Sequence, residues 1–381
     1  MTYSIYQHWD PLRVCIVGRS YPPEFYSWIN IPHVRELFEK IAQETEEDYQ
    51  CLIKKLQQFG VEVLRPELPE SGFNGTKYVA PPMTPRDYTL TLGNTFYSHH
   101  DSYNFGYFYH HVKKQKKWHW WCKSFEDLDL LPSDVRDECL VLHDQYLKSN
   151  PGLFCYDKIF EHIKNQGNVI KDHVDPICSG GYVFRVGKDL YFGTESYNQD
   201  QLLLQQKVDQ EFTQTRNHIV NTGGHIDGTF CPVAPGLIIG TKGAIDYNAA
   251  FPGWEIVCPT PRNLHRRKEF WDLKEKNRGK WWIPGFEYDQ DVIDVVDQHL
   301  TSWTGYVEES VFDVNVLIID SKNIITSIYN KQVFDAYKRH GITPHLIPLR
   351  HQGFWDSGTH CLTSDLHRDG TIQNYFPERG Q

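Results

Sequence analysis

A short apolar strand, a tight turn and a second strand recur along this chain of 381 residues. The unit occurs five times, at 12–20, 88–98, 182–193, 234–245 and 314–327. The last four turns carry Gly-Asn, Gly-Lys-Asp, Gly-Thr-Lys-Gly and Asp-Ser-Lys-Asn, which suit hairpins, while the first unit is the weakest hairpin. Repetition of one unit predicts a radial or stacked architecture, and an ordinary α+β sandwich is the alternative.

Helices are predicted between these hairpins. Apolar residues recur at helical spacing over 33–58, 199–213, 289–302 and 331–339. Short extended runs follow the first and last of them, so the theme is strand, strand, helix, strand. The stretch 99–165 is aromatic and polar with few clear periods, which predicts an insertion or a lid over one face.

Composition and charge narrow the class of protein. A hydrophobic content of 40% argues against disorder, and a formal charge of −10 argues against a nucleic-acid partner. The N-terminus lacks a signal-peptide pattern, and no run of 18 apolar residues predicts a membrane span. Nine cysteines without a C-x-x-C pair fit reduced thiols, so we expect a cytoplasmic protein without a zinc site.

Three short segments carry side chains suited to catalysis. In GGHIDGTF (223–230), His225 and Asp227 would share one face of a strand and could move protons beside a bound cation. In DSGTHCLTSD (356–365), Cys361 follows a glycine-containing turn, where the imidazole of His360 could favour a thiolate. Asp87 opens the second hairpin and could face a cavity.

Each of these residues also has a structural interpretation. A His-x-Asp pair is more often structural than catalytic. A single cysteine is often a small buried apolar residue, and an aspartate before a strand often helps the chain to turn. On their own, the three segments therefore leave the function open.

Taken together and in this order, these segments resemble glycine amidinotransferase-type enzymes of the guanidino-group-modifying, or pentein, superfamily. The resemblance rests on the spans 83–94, 175–189, 223–239, 312–320 and 348–371. It implies a five-bladed α/β propeller with pseudo-fivefold ββαβ repeats, forming a single domain over 1–381. It also implies an active site at the centre, no metal or organic cofactor, and a homodimer.

The resemblance also implies a reaction. Cys361 would attack the guanidinium carbon of L-arginine, release ornithine and pass the amidino group to an acceptor amine. His225 would move the protons, while Asp87 and Asp227 would hold the guanidinium group. Arg350 stands where the family has an arginine and is a candidate substrate contact. An arginine deiminase-like hydrolase, in which water replaces the amine, is the alternative enzyme.

Two positions depart from the family pattern. Ser179 stands where the family has a carboxylate that orients the catalytic histidine. Asp175 could fill that role, Ser179 could suffice for a different or slower reaction, or the protein could be impaired and keep a binding role. Glu308 and Glu309 stand where the family has a serine pair, which favours a basic amine over glycine as acceptor.

Overall fold

The computed structural model describes residues 2–69, 73, 78–98, 131–149, 155–172, 180–194, 200–259, 283, 285–286, 288–300 and 310–380. No helix within these ranges is both long and apolar enough to cross a membrane.

Five separate three-stranded sheets organise the described part of the chain. Their orders are β15-β1-β2, β3-β4-β5, β6-β7-β8, β9-β10-β11 and β12-β13-β14. The strands are β1 (Leu12–Val17), β2 (Glu62–Leu64), β3 (Thr89–Leu92), β4 (Thr95–Ser98), β5 (Val169–Asp172), β6 (Val183–Val186), β7 (Asp189–Thr194), β8 (Arg216–Asn221), β9 (Phe230–Ala234), β10 (Leu237–Gly240), β11 (Glu255–Val257), β12 (Leu317–Asp320), β13 (Asn323–Thr326), β14 (Thr343–Leu346) and β15 (Thr363–Arg368).

Every one of these five sheets has the same strand-pairing pattern. Its middle strand pairs antiparallel with the first strand and parallel with the third. An antiparallel pair needs only a tight turn, whereas a parallel pair needs a crossover, which a helix can supply. The predicted strand, strand, helix, strand theme is therefore confirmed as five sheets of mixed α/β construction.

Helices supply these crossovers and cover the sheets. They are α1 (Pro32–Gln58), α2 (Ser133–Ser149), α3 (Asp157–Asn165), α4 (Asp200–Glu211), α5 (Tyr247–Ala250), α6 (Gln290–Val295), α7 (Lys331–Arg339) and α8 (Gln352–Trp355). A π-helical turn, Val296–Leu300, continues α6. The predicted helices thus correspond to α1, α4, α6 with its π turn, and α7, within a few residues at each end.

The first predicted hairpin is not a hairpin. β1 pairs antiparallel with β15, from the other end of the chain, with Leu12 opposite Arg368 and Val17 opposite Thr363. The C-terminal strand therefore takes the place that a neighbouring strand takes in the other four sheets. This pairing depends on contacts more than 340 residues apart, which a local turn pattern does not reveal.

The fourth predicted hairpin is shifted along the chain. Its strands are β9 and β10, joined by a turn at Pro235 and Gly236, where Gly236 has φ +88°. The predicted turn Gly-Thr-Lys-Gly instead follows the second strand. A proline followed by a glycine in the left-handed region makes the tighter turn, and it moves the hairpin several residues toward the N-terminus.

The stretch 99–165 contains two helices that its sequence did not predict. Residues 99–130 and 150–154 lie outside the described residues. α3 buries Ile159, Phe160 and Ile163, and it connects β4 to β5 as the crossover of the second sheet. The C-terminal end of the predicted insertion is therefore a regular part of the repeating unit.

A single turn precedes the first strand of each sheet. In four sheets the turn is a 3-10 helix: Pro85–Asp87, Gly180–Tyr182, Ile226–Gly228 and Ser310–Asp313. In the remaining sheet it is the turn before β15 that contains Cys361. The first of these turns contacts the second, and the second contacts the third. The same end of several sheets therefore gathers side chains that are far apart in sequence.

Asp365 on β15 connects four of the five sheets through buried arginines. Its carboxylate accepts hydrogen bonds from Arg86, Arg185 and Arg368 at 2.7–2.9 Å, and all four side chains are 1% exposed. The same arginines also donate to main-chain carbonyl groups of other sheets, at Thr91 and Ile318. Burial opposes ionisation of Asp365, but the surrounding guanidinium groups outweigh it and hold its pKa well below the usual range.

We predict that Asp365→Asn lowers the free energy of unfolding at pH 7 by about 3–5 kcal/mol, because it leaves three buried cations without their carboxylate. The folded pKa of Asp365 is depressed, so its stabilisation is complete above about pH 4 and declines as the pH falls. The deficit of the variant should therefore shrink below that pH in urea titrations followed by circular dichroism.

Asp335→Asn is the matched control, because Asp335 is an exposed carboxylate paired with Lys331 on α7. It should leave the unfolding curve nearly unchanged. An Asp365→Asn protein as stable as the parent at pH 7, or a deficit that is the same at every pH, would contradict this account of Asp365.

Candidate active site

Cys361 lies in the turn two residues before β15. The same position relative to the first strand is occupied by Asp87 before β3, Gly181 before β6 and Asn315 before β12. Because the turns before several of these strands contact one another, residues as far apart in sequence as Asp87 and Cys361 come close enough for their charges to interact. The sequence contained this signal, but it becomes visible only when the first strands are aligned.

The Cys361 thiol is buried and has two polar contacts. Its S–H points to Asp227 Oδ2 at 3.4 Å, and its Sγ accepts a hydrogen bond from Asn315 Nδ2 at 2.9 Å. Burial raises the pKa of Cys361 well above its usual value, and the nearby carboxylates of Asp227 and Asp87 raise it further. The resting group is therefore a thiol at neutral pH.

Asp227 pairs with His360. His360 Nδ1 lies 2.6 Å from Asp227 Oδ2, and both side chains are almost fully buried. Burial, together with the charge of Arg86, lowers the pKa of His360 to about 4. His360 is therefore neutral at pH 7 and donates its Nδ1 proton to an ionised Asp227.

This pairing corrects the expectation that His360 favours a thiolate. A neutral imidazole carries no charge to stabilise one. Burial opposes ionisation of Asp227, but the hydrogen bond from His360 and the charge of Arg86 lower its pKa overall. His360 thus fixes the position of the Asp227 carboxylate and does not activate Cys361 by its charge.

Asp87 and Asp227 each present an oxygen with unused hydrogen-bonding capacity. Within the described ranges, the buried Oδ1 atoms of both residues have no hydrogen-bond partner. Burial raises the pKa of Asp87, and the charge of Asp227 raises it further, while the neighbouring His225 opposes this effect. Buried acceptors without partners are unfavourable, so this arrangement suits a bound cation with several N–H donors.

His225 lies beside Asp87 rather than on a strand with Asp227. The segment Ile226–Gly228 forms a 3-10 turn, so the predicted strand geometry is wrong, because the glycines on both sides favour a turn. His225 Nδ1 is 3.6 Å from Asp87 Oδ1, and the ring meets the Tyr182 ring edge-on at 4.5 Å between centroids. At Gly181, a Cβ atom would lie 2.9 Å from His225 Nδ1.

The other predicted site residues separate into two groups. Ser179, Glu308 and Glu309 lie outside the described residues. Arg350 donates to Asp48 at 2.9 Å and to Glu47 at 2.8 Å, both on α1. In the described part of the chain its hydrogen bonds and ion pairs are with α1, so this geometry gives the substrate-contact prediction for Arg350 no support.

One surface cluster could hold a cation. His33, Asp289 and Asp291 have ligand atoms within 4.8 Å of one another. His33 and Asp291 are exposed, and Asp289 also caps α6 through Val292 N. Exposed acidic groups of this kind are common without a metal, and the cluster shares no residue with the Cys361 site.

Several residues of this site were missed by sequence reasoning. Asn315 and Arg86 contact the Cys361 turn, and Tyr182 contacts His225. Arg86 donates from Nε to the carbonyl groups of His360 and Thr363, both at 2.9 Å. An asparagine or arginine beside a strand has no local pattern of its own, and only the shared position two residues before a strand would have pointed to Asn315.

Comparison with known proteins finds relatives that are amidinotransferases. No protein-family model matches the chain. The chain is 21% identical over 409 residues to the mitochondrial glycine amidinotransferase of Xenopus laevis, covering 97% of this chain and 84% of that protein. It is 22% identical over 403 residues to inosamine-phosphate amidinotransferase 1 of Streptomyces glaucescens, covering 98% of each.

Solved structures show the same fold. An amidinotransferase of saxitoxin biosynthesis from Microseira wollei superposes with a TM-score of 0.60 at 16% identity, covering 99% of this chain and 100% of that one. An inosamine-phosphate amidinotransferase from Streptomyces griseus gives 0.60 at 16% identity, covering 98% and 99%. This chain resembles the amidinotransferases of the pentein superfamily, and its similarity to these named amidinotransferases supports that resemblance. Its class is that of a transferase of amidino groups.

The raised pKa of Cys361 makes a direct prediction. Alkylation of Cys361 by iodoacetamide should be slow at pH 7 and should rise about tenfold per pH unit to beyond pH 9, because the thiolate is the reactive form. Mass spectrometry of the peptide that contains Cys361 measures the rate, with the exposed Cys51 as an internal reference for the reagent. A rate that levels off below pH 8 would contradict a thiol buried among carboxylates.

Proposed function

We propose that the chain transfers the amidino group of L-arginine to an acceptor amine through a covalent amidino-cysteine at Cys361. The observation that carries this proposal is a buried thiol beside two carboxylates, Asp87 and Asp227, each with a buried oxygen that has no partner in the described residues. The five sheets would then be the blades of a pseudo-fivefold α/β propeller, in one domain, with this site at its centre.

The donor would bind through its guanidinium group. This group is planar, permanently charged and rich in N–H donors, so two carboxylates satisfy it best through charge-assisted hydrogen bonds. Asp87 Oδ1 and Asp227 Oδ1 are suited to accept those bonds. Because Cys361 Sγ is 3.4 Å from Asp227 Oδ2, a group held by Asp227 would bring its carbon close to the sulfur.

The first half-reaction breaks one C–N bond and forms one C–S bond. The thiol proton of Cys361 passes to His225, and the sulfur attacks the guanidinium carbon. The bond from that carbon to the side-chain nitrogen of arginine then breaks. His225 returns the proton to this nitrogen, so ornithine leaves as an amine and the amidino group stays on sulfur.

Asp87 would also serve as the carboxylate partner of His225. The family carboxylate for this role corresponds to Ser179, so another acid is needed to stabilise an imidazolium. Asp87 Oδ1 is 3.6 Å from His225 Nδ1, and their ring and carboxylate are both partly exposed. A small adjustment on substrate binding would bring them into hydrogen-bond distance.

The second half-reaction reverses the chemistry with a different amine. The acceptor attacks the amidino carbon and His225 takes a proton from the acceptor nitrogen. The C–S bond then breaks, and His225 returns the proton to the departing sulfur, so the Cys361 thiol is restored. Glu308 and Glu309 favour a basic amine as the acceptor. The homodimer, the cytoplasmic location and the absence of nucleic-acid and membrane partners stay predictions from the sequence.

Incubation with L-arginine alone tests this function. Intact mass spectrometry should show one amidino group added to the protein, with one equivalent of ornithine released, because no acceptor is present to complete the cycle. Cys361→Ala should abolish the adduct. Cys51→Ala, which removes an exposed thiol, should form it as the parent does.

The other outcomes each overturn the proposal in a defined way. Catalytic formation of citrulline would assign the chain to the hydrolases, because water would then resolve the adduct. Binding of arginine without adduct or product would indicate an impaired family member with a binding role. Transfer from the isolated adduct to glycine in preference to lysine, ornithine or diamines would contradict the basic acceptor.

A further inference from the structure

The side chain of Asn315 makes several hydrogen bonds to the turn that contains Cys361. Its side-chain Oδ1 accepts from the main-chain N–H groups of His360 and Cys361, both at 3.0 Å. Its Nδ2 donates to Cys361 Sγ at 2.9 Å and more weakly to the Asp227 carbonyl at 3.4 Å. Asn315 is 4% exposed, so these contacts are made away from solvent.

The main chain decides which end of the amide faces the sulfur. Two N–H groups can be satisfied only by an oxygen, so Oδ1 must face the backbone of residues 360 and 361. The amide nitrogen must then face Cys361 Sγ. The group beside the sulfur is therefore a hydrogen-bond donor, as a thiolate requires.

The turn is shaped around this side chain. A Cβ atom at Gly358 would lie 2.6 Å from Asn315 Oδ1 and 2.9 Å from the Asn315 carbonyl oxygen. Thr359 Oγ1 also donates to that carbonyl at 3.2 Å. The close approach requires glycine at 358 and fixes the amide of Asn315 against the thiol.

The surroundings of the sulfur otherwise disfavour a negative charge. Asp227 Oδ2 is 3.4 Å away, and Asp87 contributes a second carboxylate. Arg86, whose Nε binds carbonyl groups of this turn, is also paired with Asp365. In the described part of the chain, Asn315 is the side chain that donates a hydrogen bond to Cys361 Sγ.

We propose that Asn315 is a catalytic residue that stabilises the thiolate of Cys361 through Nδ2–H and orients its sulfur toward the bound guanidinium carbon. This role rests on the proposed function and assigns a new residue to it. The donor stabilises the sulfur twice, once when the thiol proton leaves before attack and again when the C–S bond breaks and the sulfur departs with the electron pair.

Two substitutions test the Nδ2–H donor of Asn315 separately from the support that its Oδ1 gives to the Cys361 turn. Asn315→Asp keeps an oxygen for the two main-chain N–H groups but replaces the donor beside the sulfur with a second acceptor. Asn315→Ala removes the donor without adding a buried charge. Asn168→Asp is the matched control, because Asn168 is another buried asparagine whose amide binds main-chain groups of Tyr3 and Asn94.

The readout is the pH profile of Cys361 alkylation by iodoacetamide, which needs no substrate. We expect the midpoint to rise by about one pH unit or more in Asn315→Asp and Asn315→Ala. The alkylation rate at pH 7 should then fall by a factor of about ten or more. Asn168→Asp should keep the parental profile. If Asn315→Asp does not fold, Asn315→Ala alone decides the result.

A parental midpoint in a folded Asn315 variant would overturn the inference and leave Asn315 as a support for the turn. The adduct experiment separates this failure from that of the proposed function. A shifted midpoint without an arginine adduct would retain the contact with the thiolate but not the transferase chemistry. An unshifted midpoint in an active transferase would remove only the role of Asn315.

Discussion

The interaction on which this structure most depends is the binding of three buried arginines by the carboxylate of Asp365. Arg185 of β6, Arg368 of β15 and Arg86 from the turn before β3 all bind this buried carboxylate. One of them, Arg368, also reaches a fourth sheet through the Ile318 carbonyl. A buried charge is tolerated only when its partners are complete, so the sheets must adopt one relative arrangement to satisfy it. The apolar interior supplies most of the favourable burial, while this cluster defines how the sheets meet.

The same cluster positions the active-site turns. Arg86 immediately precedes Asp87, and its Nε holds the carbonyl groups of His360 and Thr363 on either side of Cys361. One side chain thus links the turn that carries Asp87 to the turn that carries Cys361. A change at Asp365 is therefore expected to affect both the stability of the fold and the geometry of the site.

Burial and the nearby carboxylates keep the Cys361 thiol protonated at rest. Arg86, Arg185 and Arg368 are matched by Asp365, Asp227 and, when ionised, Asp87. His360 is neutral, and burial together with the charge of Arg185 holds the pKa of His8 well below its usual value. A guanidinium group would add one positive charge beside the sulfur, and transfer of the Cys361 proton to His225 would leave a negative thiolate next to that charge. Substrate binding and thiolate formation would then favour each other.

The sequence revealed the parts of this protein that depend on local pattern. Hairpin turns and helical spacing predicted three of the four hairpins that follow the first unit, together with α1, α4, α6 and α7. The motifs singled out Cys361, His225, Asp87 and Asp227 as candidate site residues, and their roles stay predictions. The β1–β15 pairing, the Asp365 cluster and the Asn315 contact depend on residues distant in sequence. Nothing in the local chain around Asn315 distinguishes it from an ordinary residue before a strand.

The central claim is that Asp87 and Asp227 hold a guanidinium group in front of Cys361. A crystal structure of the Cys361→Ala protein with L-arginine tests it most directly, because the donor would stay intact. The account predicts guanidinium nitrogens within hydrogen-bond distance of both carboxylates, with the guanidinium carbon facing position 361 and the side-chain nitrogen toward His225. Arginine bound elsewhere, or with its guanidinium group directed away from residue 361, would contradict it.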